Sequence, residues 1–128
     1  TRTISDGTHR LILNLTPGEL FIEKHLMGLK GNAVLNNPYW ATWVRDSWQK
    51  PEIYNLVKRY QSRPPNSFYN TKKDPYEMND LAGDPKYKTR IKQMRKALET
   101  WMKTEGDPGI SLDSREAHQA AKGGKHLF

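Results

Sequence analysis

FYNTKKDPYEMNDLAGDPKYKTRIKQMRKALETW, residues 68–101, decides how the rest of this chain is read. It joins a short β-favourable start, two Asp-Pro pairs and a long segment of helical periodicity. Asp84 is an N-cap by residue type, because its carboxylate can accept from the unbonded N–H groups of a first helical turn. Pro85 follows at the first helical position, where a missing N–H removes nothing. Tyr87, Ile91, Met94, Leu98 and Trp101 then recur at spacings of four and three, which puts them on one face. Lys86, Lys88, Arg90, Lys92, Arg95, Lys96 and Lys103 fall on the others. Gly106 and Pro108 are stop signals, so the pattern predicts a helix from about Pro85 to Lys103 with Trp101 in its buried stripe. Asp74-Pro75 reads as a second helix start, with Asp74 and Glu77 spaced as a capping box.

The N-terminus supplies a surface for that helix. Thr1–Ser5 and Thr8–Leu15 are β-favourable runs on either side of Asp6-Gly7, a two-residue turn signal. Pairing Ser5 with Thr8 sets Ile4 opposite His9, and Leu11, Leu13 and Leu15 continue the same face. Thr3, Arg10 and Ile12 form the other face, which is more polar. The fold class predicted is α+β: a small antiparallel β-sheet, the hairpin joined by a strand at 67–70, packed against one long C-terminal amphipathic helix. The organisation is a hairpin at 1–15, an irregular or helical insert at 16–66, the strand and long helix at 67–106, and a tail at 109–128.

Inside the insert, Pro17-Gly18 and Asn36-Asn37-Pro38 are turn signals. Trp40, Trp43 and Val44 share a helical face, with Trp48 close by. Pro51 opens a further helix whose stripe is Ile53, Tyr54, Val57 and Tyr60. SRPPN, residues 62–66, is an extended run into the strand. The tail reads as a short helix from Ser114 to Lys122 or as a frayed end.

Composition narrows the partners. The chain has 128 residues, 35% of them hydrophobic, so its core is small and one-sided. No run is long and apolar enough to predict a membrane-spanning helix. TRTISDGTHR contains no apolar signal-peptide core, and the chain starts as though cut from a longer one. With no cysteine, neither a disulfide nor a thiolate metal site can form. A net charge of +7 favours anionic partners. No helix-turn-helix, zinc-finger or RNP-type motif points to nucleic acid, and neither nucleic acid nor membrane is an expected partner. His9, His25, His118 and His126 lack any ligand spacing such as HExxH. Asp74, Glu77, Asp80 and Asp84 lack the calcium-loop pattern with its central glycine. Asn14-Leu15-Thr16 matches a glycosylation acceptor, a tripeptide common by chance.

The run FYNTKKDPYEMNDLAGDP resembles the signature near the C-terminus of sulfatases. There a Glu-Leu-Tyr-Asp strand is followed by Asp-Pro-x-Glu, Asn-Leu-Ala, then Asp-Pro and a helix ending near Trp. Tyr69, Asp74, Pro75, Glu77, Leu81, Ala82, Asp84, Pro85 and Trp101 stand at those places. Ser67, Phe68, Asn70 and Asp80 depart from the common residues and leave the spacing intact. Arg2, Ile4, Arg10, Leu11, Ile12 and Asn14 fit the hairpin of that family, with His9 where an aromatic is usual. Within sulfatases the chain is most similar to the heparan N-sulfatase branch (sulfamidases, or sulfoglucosamine sulfohydrolases). That likeness rests on Asn14-Leu15, on Lys58, Arg59, Tyr60 and Arg63, and on Trp101, Thr104, Asp107 and Pro108.

The resemblance implies an alkaline-phosphatase-like fold whose small C-terminal subdomain would be this chain. It implies hydrolysis of sulfate esters or sulfamates of sulfated, glycosaminoglycan-type sugars by a formylglycine nucleophile with calcium. A periplasmic, secreted or lysosomal place goes with it. The nucleophile arises from a Cys/Ser-x-Pro-x-Arg motif, and Ser62-Arg63-Pro64-Pro65 has the wrong order for one. Catalytic and metal-ligating residues in this chain are therefore expected to be none, and no cofactor is expected within it. The expected partners are an N-terminal catalytic domain of the same protein, a sulfated saccharide substrate and a second copy in a homodimer. Two other classes stay open: a stand-alone basic polyanion-binding module, using the lysine-rich helix, and a protein-interaction module, using the tryptophan cluster.

Overall fold

A computed structural model describes residues 1–21 and 38–109, together with 116 and 119. The described chain divides into two compact units, one formed by Thr1–Thr16 with the segment from Pro65 onward, the other by Pro17–Pro64.

The first unit is the α+β body. Strands β1 (Arg2–Ser5), β2 (His9–Leu13) and β3 (Asn66–Asn70) make an antiparallel sheet in the order β1-β2-β3. A short 3-10 turn, Pro85–Tyr87, leads into the long helix, Lys88–Thr104. Leu11, Leu13, Phe68, Met94 and Leu98 form the buried core, with Ile4, Leu81, Ala82, Tyr87, Ile91 and Met102 packed around it. The apolar face of the hairpin thus receives the apolar face of the helix, as the matching patterns require.

The hairpin register differs from the predicted one by two residues. Ile4 pairs with Leu11 and Ser5 with Arg10, so the turn residues are Gly7 and Thr8 rather than Asp6 and Gly7. Asp6 N–H donates to the His9 carbonyl at 3.1 Å. Gly7 has φ +84°, a conformation open to glycine, and Thr8 does not share the positive φ. Asp6 decides this: its Oδ1 accepts from the N–H groups of Thr8 at 2.9 Å and His9 at 2.6 Å, holding Asp6 at the strand end. A slip of two leaves every side chain on its predicted face, whereas a slip of one would have reversed them all.

On the other sheet face Thr3 and Arg10 are exposed and Ile12 is half-buried, while Ser67 and Tyr69 are buried. Beyond β2, Asn14 N–H donates to the Pro65 carbonyl at 2.9 Å, and the Asn14 side chain accepts from Thr16 N–H at 3.2 Å. The acceptor tripeptide is therefore folded as a local turn.

The second unit contains two of the chain's three described α-helices. We label them α1 (Pro38–Ser47) and α2 (Pro51–Gln61), and the long helix of the first unit α3. Trp40 is buried and meets Tyr60 at 5.7 Å between ring centroids; Tyr60 in turn meets Phe21 at 5.6 Å. The Arg63 guanidinium lies 3.5 Å over the Phe21 ring. The tryptophan cluster splits: Trp43 and Trp48 are 48% and 83% exposed. The turn expected at Asn36-Asn37 and the helix expected at 114–122 fall outside the described residues, apart from Glu116 and Gln119.

Candidate functional site

The signature run folds as a bracket around β3, and each of its acidic residues has a backbone or side-chain partner. Asp80 depends on its position just after a turn. Its Oδ1 accepts from Phe68 N–H at 2.9 Å and from Ala82 N–H at 2.9 Å. Leu81 N–H then donates to the Phe68 carbonyl at 2.7 Å. Phe68 is fully buried, and these bonds occupy the polar groups that β3 turns away from β2. An open strand edge is a pairing liability, and here the segment at 80–82 covers it.

Asp74-Pro75 starts no helix. Asp74 accepts from Met78 N–H at 3.0 Å and Asn79 N–H at 2.7 Å through its two carboxylate oxygens, closing a loop. Glu77 N–H donates to the Asp74 carbonyl at 3.1 Å within a turn that does not continue as a helix. Glu77 sits at φ +55°, a left-handed conformation unusual for a residue with a side chain, and its carboxylate accepts from Arg10 at 2.6 Å. The Glu77 side chain thus joins this loop to β2 at long range. At the second Asp-Pro pair the local rule holds: Asp84 accepts from Lys86 N–H at 2.9 Å, and the chain enters α3.

Trp101 is not in the buried stripe. It is 55% exposed, and Met102 packs on the core instead. At roughly 100° per residue the two stand about equally far to either side of the centre of the stripe. Periodicity therefore cannot choose between them; the position of the sheet does.

Ion pairs fasten the helix at both ends. Arg90 donates from Nε and Nη2 to the second oxygen of Asp6. The Asp6 carboxyl lies well below the ordinary range, first because His9 N–H donates to it and also through Arg90, with burial opposing. At the far end Gly106, φ +68°, closes a Schellman motif, with Gly106 N–H on the Lys103 carbonyl and Asp107 N–H on the Met102 carbonyl. The Asp107 side chain then takes both arms of Arg2 and the Gly109 N–H. Its pKa is lowered to about 2, chiefly by the Arg2 hydrogen bonds. Sequence spacing gave no signal for the Arg2–Asp107, Asp6–Arg90 and Arg10–Glu77 pairs, because their partners are far apart along the chain.

His9 stands in an aromatic group, stacked on Phe68 at 5.2 Å with an interplanar angle of 8° and 5.6 Å from Tyr87. The imidazole thus takes part in the aromatic packing at the edge of the core. His25, His118 and His126 lie outside the described residues. Among the described residues no group of three or more acidic or histidine side chains is placed to hold a metal ion.

The basic helix sorts by residue type. Arg90 pairs with Asp6, and Arg95 donates to Asn66 at 3.1 Å and lies 3.8 Å from Glu99. Lys88, Lys92, Lys96 and Lys103 are exposed and have no partner among the described residues. A shallow, open stretch of surface along α3 is formed by Gln93, Lys96, Ala97, Thr100 and Trp101.

No protein-family model matches the chain. Two curated relatives, both ulvan-active sulfatases of Formosa agariphila, do. One is 31% identical over 62 residues, 45% of this chain, and the other 33% identical over 84 residues, 66% of this chain. The chain spans only 12% and 11% of their respective lengths. These matches do not support the heparan N-sulfatase branch. They relate the chain, coarsely, to sulfatases.

Proposed function

We propose that this chain is a non-catalytic subdomain of a sulfatase that hydrolyses sulfate groups on sulfated polysaccharide, with nucleophile and cation site supplied by the remainder of a longer protein. The observation that carries this reading is the bracket at 68–87. The Asp-Pro, Leu-Ala, Asp-Pro spacing corresponds to one built unit: Asp74 closes the loop after β3, Leu81 N–H ties that loop back to Phe68, and Asp84 caps the turn into α3. A polyanion-binding or protein-interaction module would have no need of that spacing. The two relatives add a sequence likeness over part of the chain, and their names make ulvan the first substrate to test. Heparan-type sulfamates and glycosaminoglycan sulfates are the further candidates, as the resemblance of the hairpin and the insert suggests.

In this reading the subdomain's work is mechanical. A sheet braced by one helix, with ion pairs at both helix ends, gives a rigid surface against which a catalytic domain can close. The test compares the purified 128-residue chain with the longer protein on an aryl sulfate, ulvan and a sulfamate sugar, with calcium present. The longer protein is expected to release sulfate and the chain alone to release none. Hydrolysis by the chain alone, or failure of the longer protein on every sulfated substrate, overturns the reading.

A further inference from the structure

Two open stretches of surface beside α3 run into each other. The lower, about 320 Å³, touches Ile4, Asp6 and Arg90; the upper, about 540 Å³, touches Lys96, Thr100 and Trp101. Gln93 and Ala97 line both. From Arg90 to Trp101 the helix rises about 16 Å, enough for a short run of sugar rings. A small residue, Ala97, stands where the two stretches meet. Trp101 is 55% exposed and presents its indole ring at the upper end of this surface.

The chemistry along this surface is mixed in a particular way. It offers one aromatic ring, the amide of Gln93, the hydroxyl of Thr100 and the ammonium of Lys96. Gln93 and Lys96 have no partner among the described residues. Lys92 and Lys103, exposed and equally unpartnered, add positive field on the neighbouring helix face. The arginines of α3, by contrast, are committed to Asp6, Asn66 and Glu99. A ring for stacking, hydrogen-bonding groups and uncommitted cations match a ligand with flat apolar faces, hydroxyls and spaced negative charge.

We propose that the surface along α3 binds a run of sulfated polysaccharide, with Trp101 stacked on a sugar ring and Lys96 paired with a sulfate group. This deepens the sulfatase reading and takes the ligand class from it, but the binding is a property of the 128-residue chain itself.

The test is binding of that chain to dextran sulfate, with uncharged dextran and polyglutamate as controls, by calorimetry at two salt concentrations. Dextran sulfate is expected to bind, more weakly at high salt as counterion release requires, and more tightly than polyglutamate of equal charge. Trp101→Ala should weaken dextran sulfate binding about tenfold, the scale of losing one aromatic stacking platform, and leave polyglutamate unchanged. Lys96→Gln should weaken both. Ala97→Met, which fills the junction of the two stretches, should weaken dextran sulfate alone. Circular dichroism melts of each variant confirm the fold. Wild-type affinity in Trp101→Ala, or equal affinity for polyglutamate, overturns the proposal. The two readings fail separately: a longer protein that cleaves sulfated polysaccharide while this chain binds none refutes the binding surface alone. Binding here with no hydrolysis by the longer protein refutes the sulfatase reading alone.

Discussion

Replacing Asp80 with alanine should unfold this protein more readily than any other change to an exposed side chain. The carboxylate accepts two backbone bonds, and one donor, Phe68 N–H, belongs to a residue with 0% exposure. A hydrogen bond to a charged group contributes about 1.5–3 kcal/mol, and a buried donor left bare costs about 1–3 kcal/mol. These overlap, because removing the acceptor is what bares the donor. Ala82 N–H can turn to water and adds a few tenths. The net loss should be about 2–3 kcal/mol, which for a body of this size lowers the melting temperature by roughly 10–20 °C. Asp80→Asn keeps an oxygen in the accepting position and should lose less than about 1 kcal/mol. Urea unfolding followed by circular dichroism measures both, with an unchanged slope showing that the unfolding reaction is the same. If Asp80→Ala stays within about 0.5 kcal/mol of the parent, the bracket does not hold β3, and the structural reading of the signature run fails.

Leu98→Ala should cost about 2–5 kcal/mol, since Leu98 is 2% exposed, whereas Trp101→Ala at 55% exposure should cost under about 1 kcal/mol. The same urea experiment would expose an error if the order were reversed. Acid should loosen the link between the hairpin and the end of α3. Asp107 is lowered from 3.8 to about 2, so its stabilising effect is complete above the unfolded value and is lost as pH falls through about 2. Asp107→Asn should flatten the unfolding midpoint across that window, and an unchanged pH profile would refute the Arg2 pairing. Trp43 and Trp48, left exposed in the second unit, should drive self-association that persists or strengthens with salt. Sedimentation at two ionic strengths checks this, and a monomer at both would count against it.

Features that depend on neighbours along the chain are legible in the order of its residues. The period of Tyr87, Ile91, Met94 and Leu98 set the helix and its inner face, Asp84-Pro85 set its start, and Gly106 set its end. Alternation in the hairpin set which side chains face the helix, and this survived a register two residues away from the one expected, because side chains repeat every two residues in a strand. The α+β class follows from those two patterns together.

Features that depend on residues far apart come only with packing. Trp101 and Met102 are equivalent by periodicity, and the position of the sheet buries one and exposes the other. Asp74 and Glu77 carry the spacing of a capping box, but their turn does not continue as a helix, and the Glu77 side chain joins the loop to Arg10 of β2. Asp80 looks like one more polar loop residue until Phe68 is placed beside it. The surface that ends on Trp101 was invisible for the same reason. A sequence states which residues share a face of a helix, but a face becomes buried or exposed only when the rest of the chain is packed against it.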